Sequence, residues 1–462
     1  MQAPSSRSEE SLRSRFANRS DVTALLAAFC FFLSTIEYML PKPLPFMRLG
    51  IANLPILLAV DFLPFKWFLV LVAAKVVGMS IVSGTLFSYV ALFSLAGTMV
   101  SALVMRGVRR VGRQAVSLVG VSIAGAVASN ATQMLIARFV IFGEVAWLIA
   151  PLFLLTGLIT GTLMGFFAEY FVEHSNWYAY ATGASEMSAT EGGSDIGLGV
   201  DSADNGLWDG VPRGAGRTGR TGGDTAPSGK ADAQDGTERQ GARKASRSVR
   251  RRRYEALIEP WVAAVLGVMV AVVFLLQQGL FVKTLFLLLF ILWAWGAGKR
   301  FSLISTLIVM VGIVATNLLI PSGRVLFRLG PIVITEMALS EGLSKALTFE
   351  GLMYLSKAAI MPGLHFPGKF GAIIAEAFQY YDHIIEYRGK VHAKTAVRDI
   401  DMLLQNIWLD ARFAGPSAEQ AVHAAGTAFL SRQSRTRRSF VFALIIFIVV
   451  VGILIAAKIA GI

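Results

Sequence analysis

Ile36-Glu-Tyr-Met-Leu-Pro-Lys-Pro-Leu-Pro-Phe-Met-Arg-Leu-Gly-Ile-Ala-Asn-Leu-Pro-Ile56 closes one apolar run and opens the next. Pro41, Pro43 and Pro45 forbid a continuous helix, because each removes a backbone donor and clashes with the preceding turn. The chain must therefore turn here. The same stretch carries Glu37, Lys42, Arg48 and Asn53 between two hydrophobic walls. Charge so close to a bilayer core is costly and marks a functional site by default. The stretch reads as the mouth of a small-molecule site in a membrane protein.

Composition agrees with a membrane setting. The 462 residues are 55% hydrophobic and only 16% charged, against about 25% charged residues in soluble domains. The net charge of +13 comes from Arg and Lys clusters that flank apolar runs, the pattern of the positive-inside rule, so it argues against nucleic acid as a partner. Cys30 is the only cysteine, so neither an intramolecular disulfide nor a cysteine metal cluster is available. The first apolar run is too long for a cleavable signal and no small-x-small site follows it.

Outward from the turn, residues 1–21 read as a cytoplasmic tail, with Arg7, Arg13, Arg15 and Arg19. Spans are expected at about 22–41, 50–64, 67–82, 85–105, 115–138 and 147–171, making a six-span block over 22–173. Lys66 and the group Arg106, Arg109, Arg110 and Arg113 fall in alternate loops, on the same side as the tail. Residues 174–254 are rich in Gly, Ser, Thr and Asp and end in Arg250-Arg-Arg-Arg253. Such a segment is expected to be a disordered cytoplasmic linker with a basic end anchored at anionic lipid. A second membrane block occupies 255–462. Spans are expected at 258–278, 280–297, 302–320, 329–360 and 439–459, with a water-facing amphipathic section at about 361–438. Val397, Ile400, Leu403, Leu404 and Ile407 repeat there at helical spacing. The fold class is thus an all-α polytopic membrane protein of about eleven spans, six in the first block and about five in the second, with cytoplasmic amphipathic helices. The N-terminus is expected inside and the chain in the cell's inner (cytoplasmic) membrane.

On this topology Glu37, Arg48, Asn53, Lys75, Ser83, Thr85, Asn130 and Gln133 fall at one depth, the outer half of the first block. Two readings are open. Either they receive a ligand, or Glu37 pairs with Lys75 while Asn130 and Gln133, on one helix face, bond between helices.

Motifs for chemistry are few. Gly363-Leu-His-Phe-Pro-Gly-Lys-Phe370 lacks the Ser or Thr and the preceding strand of a nucleotide loop. No DDxxD, HExxH or GxSxG sequence occurs. An enzyme is not expected, no cofactor or metal is implied, and any ATPase belongs to a separate chain. Asp410-Ala-Arg412-Phe-Ala414 is a candidate partner-docking segment through Ala411 and Arg412; an ordinary solvated basic helix is the other reading.

Arg48-Leu-Gly-Ile-Ala-Asn-Leu54, Lys75, Ser83-Gly-Thr85 and Ser94-Leu-Ala-Gly97 together resemble the Gx transporter family, also called heptaprenyl diphosphate synthase component I. The likeness covers 22–171. The block is also similar to substrate-binding components of energy-coupling factor transporters. Where that family tends to show His-Asn, this chain has Ser129-Asn130. Residues 258–459 resemble the transmembrane coupling component of the same transporters. The resemblance implies a fused substrate-binding and coupling subunit of an ABC importer, powered by separate ATPase subunits that dock at Ala411-Arg412. The family's other name implies an alternative, a membrane accessory subunit of a polyprenyl diphosphate synthase.

Overall fold

The computed structural model describes residues 19–39, 50–182, 247–299, 301–319, 323–329, 332–361, 364, 366, 368–386, 395–409 and 438–456. The protein is an all-α polytopic membrane protein whose described residues add one short β-hairpin to the helices. Its first helix, α1 (Arg19–Met39), stops just before the proline-rich stretch of the sequence. The chain resumes at Gly50, whose φ of 86° suits glycine, and enters a 3-10 turn over Ile51–Asn53. Pro55 sits in the first turn of α2 (Leu54–Ala59), where its missing N–H costs nothing.

Helices α3 (Phe65–Ser83), α4 (Tyr89–Gly112), α5 (Leu118–Ala137) and α6 (Ala146–His174) complete the first block. A π turn and a 3-10 turn, Arg138–Phe142 and Gly143–Val145, link α5 to α6. Gly157, Gly161 and Gly165 recur every fourth residue on α6. A Cβ on Gly161 would lie 3.0 Å from the Ile123 backbone, and one on Gly165 would lie 2.5 Å from that of Val119. The glycine stripe therefore lets α5 approach closely, which is how helices pack where apolar burial alone gives little drive.

The second block holds α8 (Arg247–Leu257) and α9 (Pro260–Leu275), bent 91° apart, then α10 (Leu280–Gly296) and α11 (Leu303–Leu318). Strands β1 (Val325–Leu329) and β2 (Ile332–Thr335) pair antiparallel before α12 (Glu336–Ala359), α13 (Gly368–Glu386), α14 (Ala396–Leu409) and α15 (Arg438–Ala456). Between the blocks, α7 (Asn176–Thr182) buries Trp177 and Tyr178.

Several expectations are corrected. The second span, 50–64, is a 3-10 turn plus the six-residue α2. That helix rises about 9 Å, far short of a hydrocarbon core of about 30 Å. The interval 329–360 opens as a hairpin strand, not a helix. Among the described residues five helical runs are long and apolar enough to cross, six if the bent α8–α9 pair counts as one. One of those runs, Leu118–His174, has 57 residues and contains both α5 and α6. Two further apolar helices, α10 and α11, are shorter. Both ends of the expected linker are helical, at α7 and α8, and only 183–246 lies outside the described residues.

Within 361–438 the described helices are α13 and α14, and α14 is amphipathic as expected. The helical period is right: Ile400, Leu403, Leu404 and Ile407 are buried on one face of α14. However, that face does not rest in water. It joins Ile373, Ile374 and Ala377 of α13 and most of α1 in a single core. Phe31 of α1 stacks on Phe378 at 5.3 Å between ring centroids, and the Thr35 and Tyr381 hydroxyls are 2.9 Å apart. A second seam joins Phe93, Ile141 and Phe153 of the first block to Ile313, Ala346 and Phe349 of the second.

These contacts set the blocks' relative orientation. The Gly84–Ser88 turn meets the end of α12: the Phe87 N–H donates to Ser356 Oγ at 3.1 Å. Nearby, Lys299 Nζ donates to the Ile360 carbonyl at 3.2 Å. Arg109 and Arg110 lie at the other end of α4, a helix roughly 36 Å long.

Candidate functional site

Inside the first block α1, α3, α4, α5 and α6 enclose a cavity of about 40 Å³, room for a few waters. From α3, Lys75 donates to Asn53 Oδ1 at 2.5 Å and to Thr98 Oγ1 at 3.1 Å. Glu37, near the end of α1, accepts from the Ala52 backbone N–H at 3.3 Å. The left-handed Gly50 and the short turn after it thus bring Ala52 to Glu37 and Asn53 to Lys75. Glu37, Gly50, Ala52 and Asn53 build one wall of the site.

Ser94, Thr98 and Ser101 form another wall. Their spacing of four and three places them on one face of α4. The hydroxyls of Ser94 and Ser101 are buried and have no hydrogen-bond partner among the described residues. An unsatisfied buried hydroxyl costs about 1–3 kcal/mol, and these two line the cavity. Between them lies Gly97, where a Cβ would come within 2.9 Å of Gln133 Nε2 and 3.0 Å of Ser129 Oγ. Glycine there lets the α5 polar face reach α4. Gln133 Nε2 in turn donates to Ser129 Oγ at 3.0 Å, and Asn130 Nδ2 donates to the Phe153 carbonyl of α6 at 2.7 Å.

Of the residues singled out in the sequence, Glu37, Asn53, Lys75, Asn130 and Gln133 converge on this cavity. Ser83 and Thr85 do not line it. Their hydroxyls lie 2.7 Å apart, and Ser83 donates to the Met79 carbonyl, closing the end of α3. Arg48, Ala411 and Arg412 lie outside the described residues. Sequence reasoning did not single out Ser94, Thr98, Ser101, Ser122, Ser129 and Thr160 as site residues, although all six line the cavity. The i, i+4, i+7 hydroxyls of α4 and the glycine stripe of α6 were the signals that could have found them.

A second polar junction ties α14 to the block. Asp401 of α14 caps the start of α7: Ser175 Oγ donates to Oδ1 at 2.5 Å, the Trp177 N–H to Oδ1 at 3.0 Å, and the Asn176 N–H to Oδ2 at 3.3 Å. A carboxylate at a helix N-terminus satisfies orphan donors and complements the dipole. Beside it, burial first and the Asp61 carboxylate second push the Tyr178 hydroxyl above its ordinary pKa.

Fold and cavity define a multi-pass helical membrane protein with an enclosed polar pocket in its first block. Residues 26–171 match the family model described as heptaprenyl diphosphate synthase component I. Residues 259–361 match that of a domain of unknown function (DUF8519). No curated protein and no solved structure matches the chain.

Proposed function

We propose that the chain is a fused substrate-binding and coupling subunit of an energy-coupling-factor-type importer, driven by ATPase subunits on separate chains. The observation that carries this reading is the enclosed polar cavity with two unsatisfied hydroxyls, in a block whose α1 is clasped by α13. Movement of the cytoplasmic helices would thus reach the cavity through one helix. The solute is small and polar, with acceptors for the Lys75 ammonium and for the Ser94 and Ser101 hydroxyls. An isoprenoid chain does not suit the walls, since each buried polar group left against hydrocarbon costs about 1–3 kcal/mol. The first block would take two orientations that differ in solute affinity, with coupling between them the work of the ATPases.

A second reading follows from the family description matched by residues 26–171: an accessory membrane subunit of a polyprenyl diphosphate synthase. One experiment separates the two. Full-length tagged chain is purified from its native host in mild detergent, and bound proteins are identified by mass spectrometry. One or two nucleotide-binding subunits are expected. A prenyl synthase in their place would establish the accessory role, and neither partner would overturn the importer reading.

A further inference from the structure

The second block carries a cavity of a different kind, an open groove of about 460 Å³ at the junction of α8, α10 and α15. Its walls are Leu257 of α8, Leu289 and Leu292 of α10, and Phe442 and Ile446 of α15. The polar atoms at its floor are already satisfied. Trp293 Nε1 donates to the Tyr254 hydroxyl at 2.9 Å, and that hydroxyl donates to the Ala358 carbonyl at 3.1 Å. A polar solute therefore finds nothing to bind along the walls.

The rim is cationic. Because α8 turns 91° from α9, its arginines lie across the end of the groove. The Arg250 guanidinium rests 4.3 Å from the Trp295 ring, and its buried Nε has no hydrogen-bond partner among the described residues. Arg253 also lines the groove and makes no ion pair among the described residues. The sole carboxylate of α8, Glu255, is engaged by Arg251 at 2.7 Å. Positive charge at the mouth of an apolar slot, next to the lipid-facing α15, is complementary to one kind of molecule.

We propose that this groove binds an anionic phospholipid, with an acyl chain between α10 and α15 and its phosphate on Arg250 and Arg253. The lipid would complete the packing of α15 against the second core, where its own contacts are sparse. This site is independent of the solute cavity and of the importer reading.

The test uses the full chain reconstituted into vesicles of phosphatidylglycerol and phosphatidylcholine in equal parts, extracted mildly and weighed by native mass spectrometry. Retention of phosphatidylglycerol over phosphatidylcholine is expected. Arg250→Gln and Arg253→Gln should each lower that preference roughly fivefold, whereas Arg250→Lys with Arg253→Lys should keep it. At Gly296, on the groove wall, a Cβ meets nothing within 4 Å, so Gly296→Phe should fill the groove and expel lipid of either kind. Unfolding temperatures of the lipid-free variants separate loss of lipid from loss of fold. Equal retention of both lipids by the parent chain would overturn the proposal. So would a groove filled by the chain's own residues, seen as retained lipid that no variant changes.

Discussion

The first and last apolar helices have nearly the same length and opposite surroundings. In α1 the apolar window is 78% buried inside the protein; in α15 it is 17% buried. The difference is written in their polar residues. Buried Thr23, Ser34 and Glu37 interrupt α1, whereas after Ser439 the described part of α15 is apolar throughout. A helix wrapped by protein can place hydroxyls and a carboxylate where partners exist, and one facing lipid cannot. Phe31→Ala should cost about 3–5 kcal/mol, the usual range for emptying an aromatic core site. Phe447→Ala, at a residue 53% exposed, should change stability by no more than about 0.5 kcal/mol. Thermal unfolding in detergent measures both, and equal losses would mean that α13 does not clasp α1.

The sequence read both helices as spans because hydropathy sums over a window and ignores what surrounds it. The end of α1 at Met39 was legible, since Pro41, Pro43 and Pro45 cannot continue a helix. The shortness of α2 was not, because Leu54–Leu63 is apolar enough to pass for membrane. Similarly, the period of α14 was legible in Ile400, Leu403, Leu404 and Ile407. A period names a face and not its neighbour. The neighbours here are α13 and, 224 residues earlier at Trp177, the short α7. Within the cavity, charged and amide residues drew attention because they are expensive in a bilayer. Serines and threonines are cheap there, so nothing in composition alone marks those of α4 as site residues.

The cavity allows a sharper test of the same contrast between polar and apolar surroundings. Lys75 bonds Asn53 and Thr98 inside the first block. Lys75→Ala should weaken binding of the solute that co-purifies with the chain by about 10- to 100-fold, the loss of one or two charged hydrogen bonds. If affinity holds, the cavity is not the solute site. Asp401→Ala should act differently, because Asp401 joins α14 to α7 and lies away from the cavity. It should cost about 1–2 kcal/mol of stability through the lost cap and lower uptake while leaving solute affinity intact. Asp401→Asn, which keeps one acceptor, should recover part of both. A parallel loss of affinity and uptake would place Asp401 in the binding step and remove its role as a junction.

The smallest effect is expected where sequence and geometry part company. Ser83 and Thr85 share the depth that the sequence assigned to the site, yet their hydroxyls bond each other and the end of α3. The double variant Ser83→Ala, Thr85→Ala should therefore cost about 1 kcal/mol or less, one modest hydrogen bond, with solute affinity unchanged. The adjoining Gly84 holds a φ of 64°, and Gly84→Ala should strain that turn whatever the solute does. If the hydroxyl variant weakened binding while Gly84→Ala did not, the solute would have to touch this turn. The turn faces the second block through Phe87 and Ser356, so such a result would move the binding site from the interior of the first block to the seam between the two.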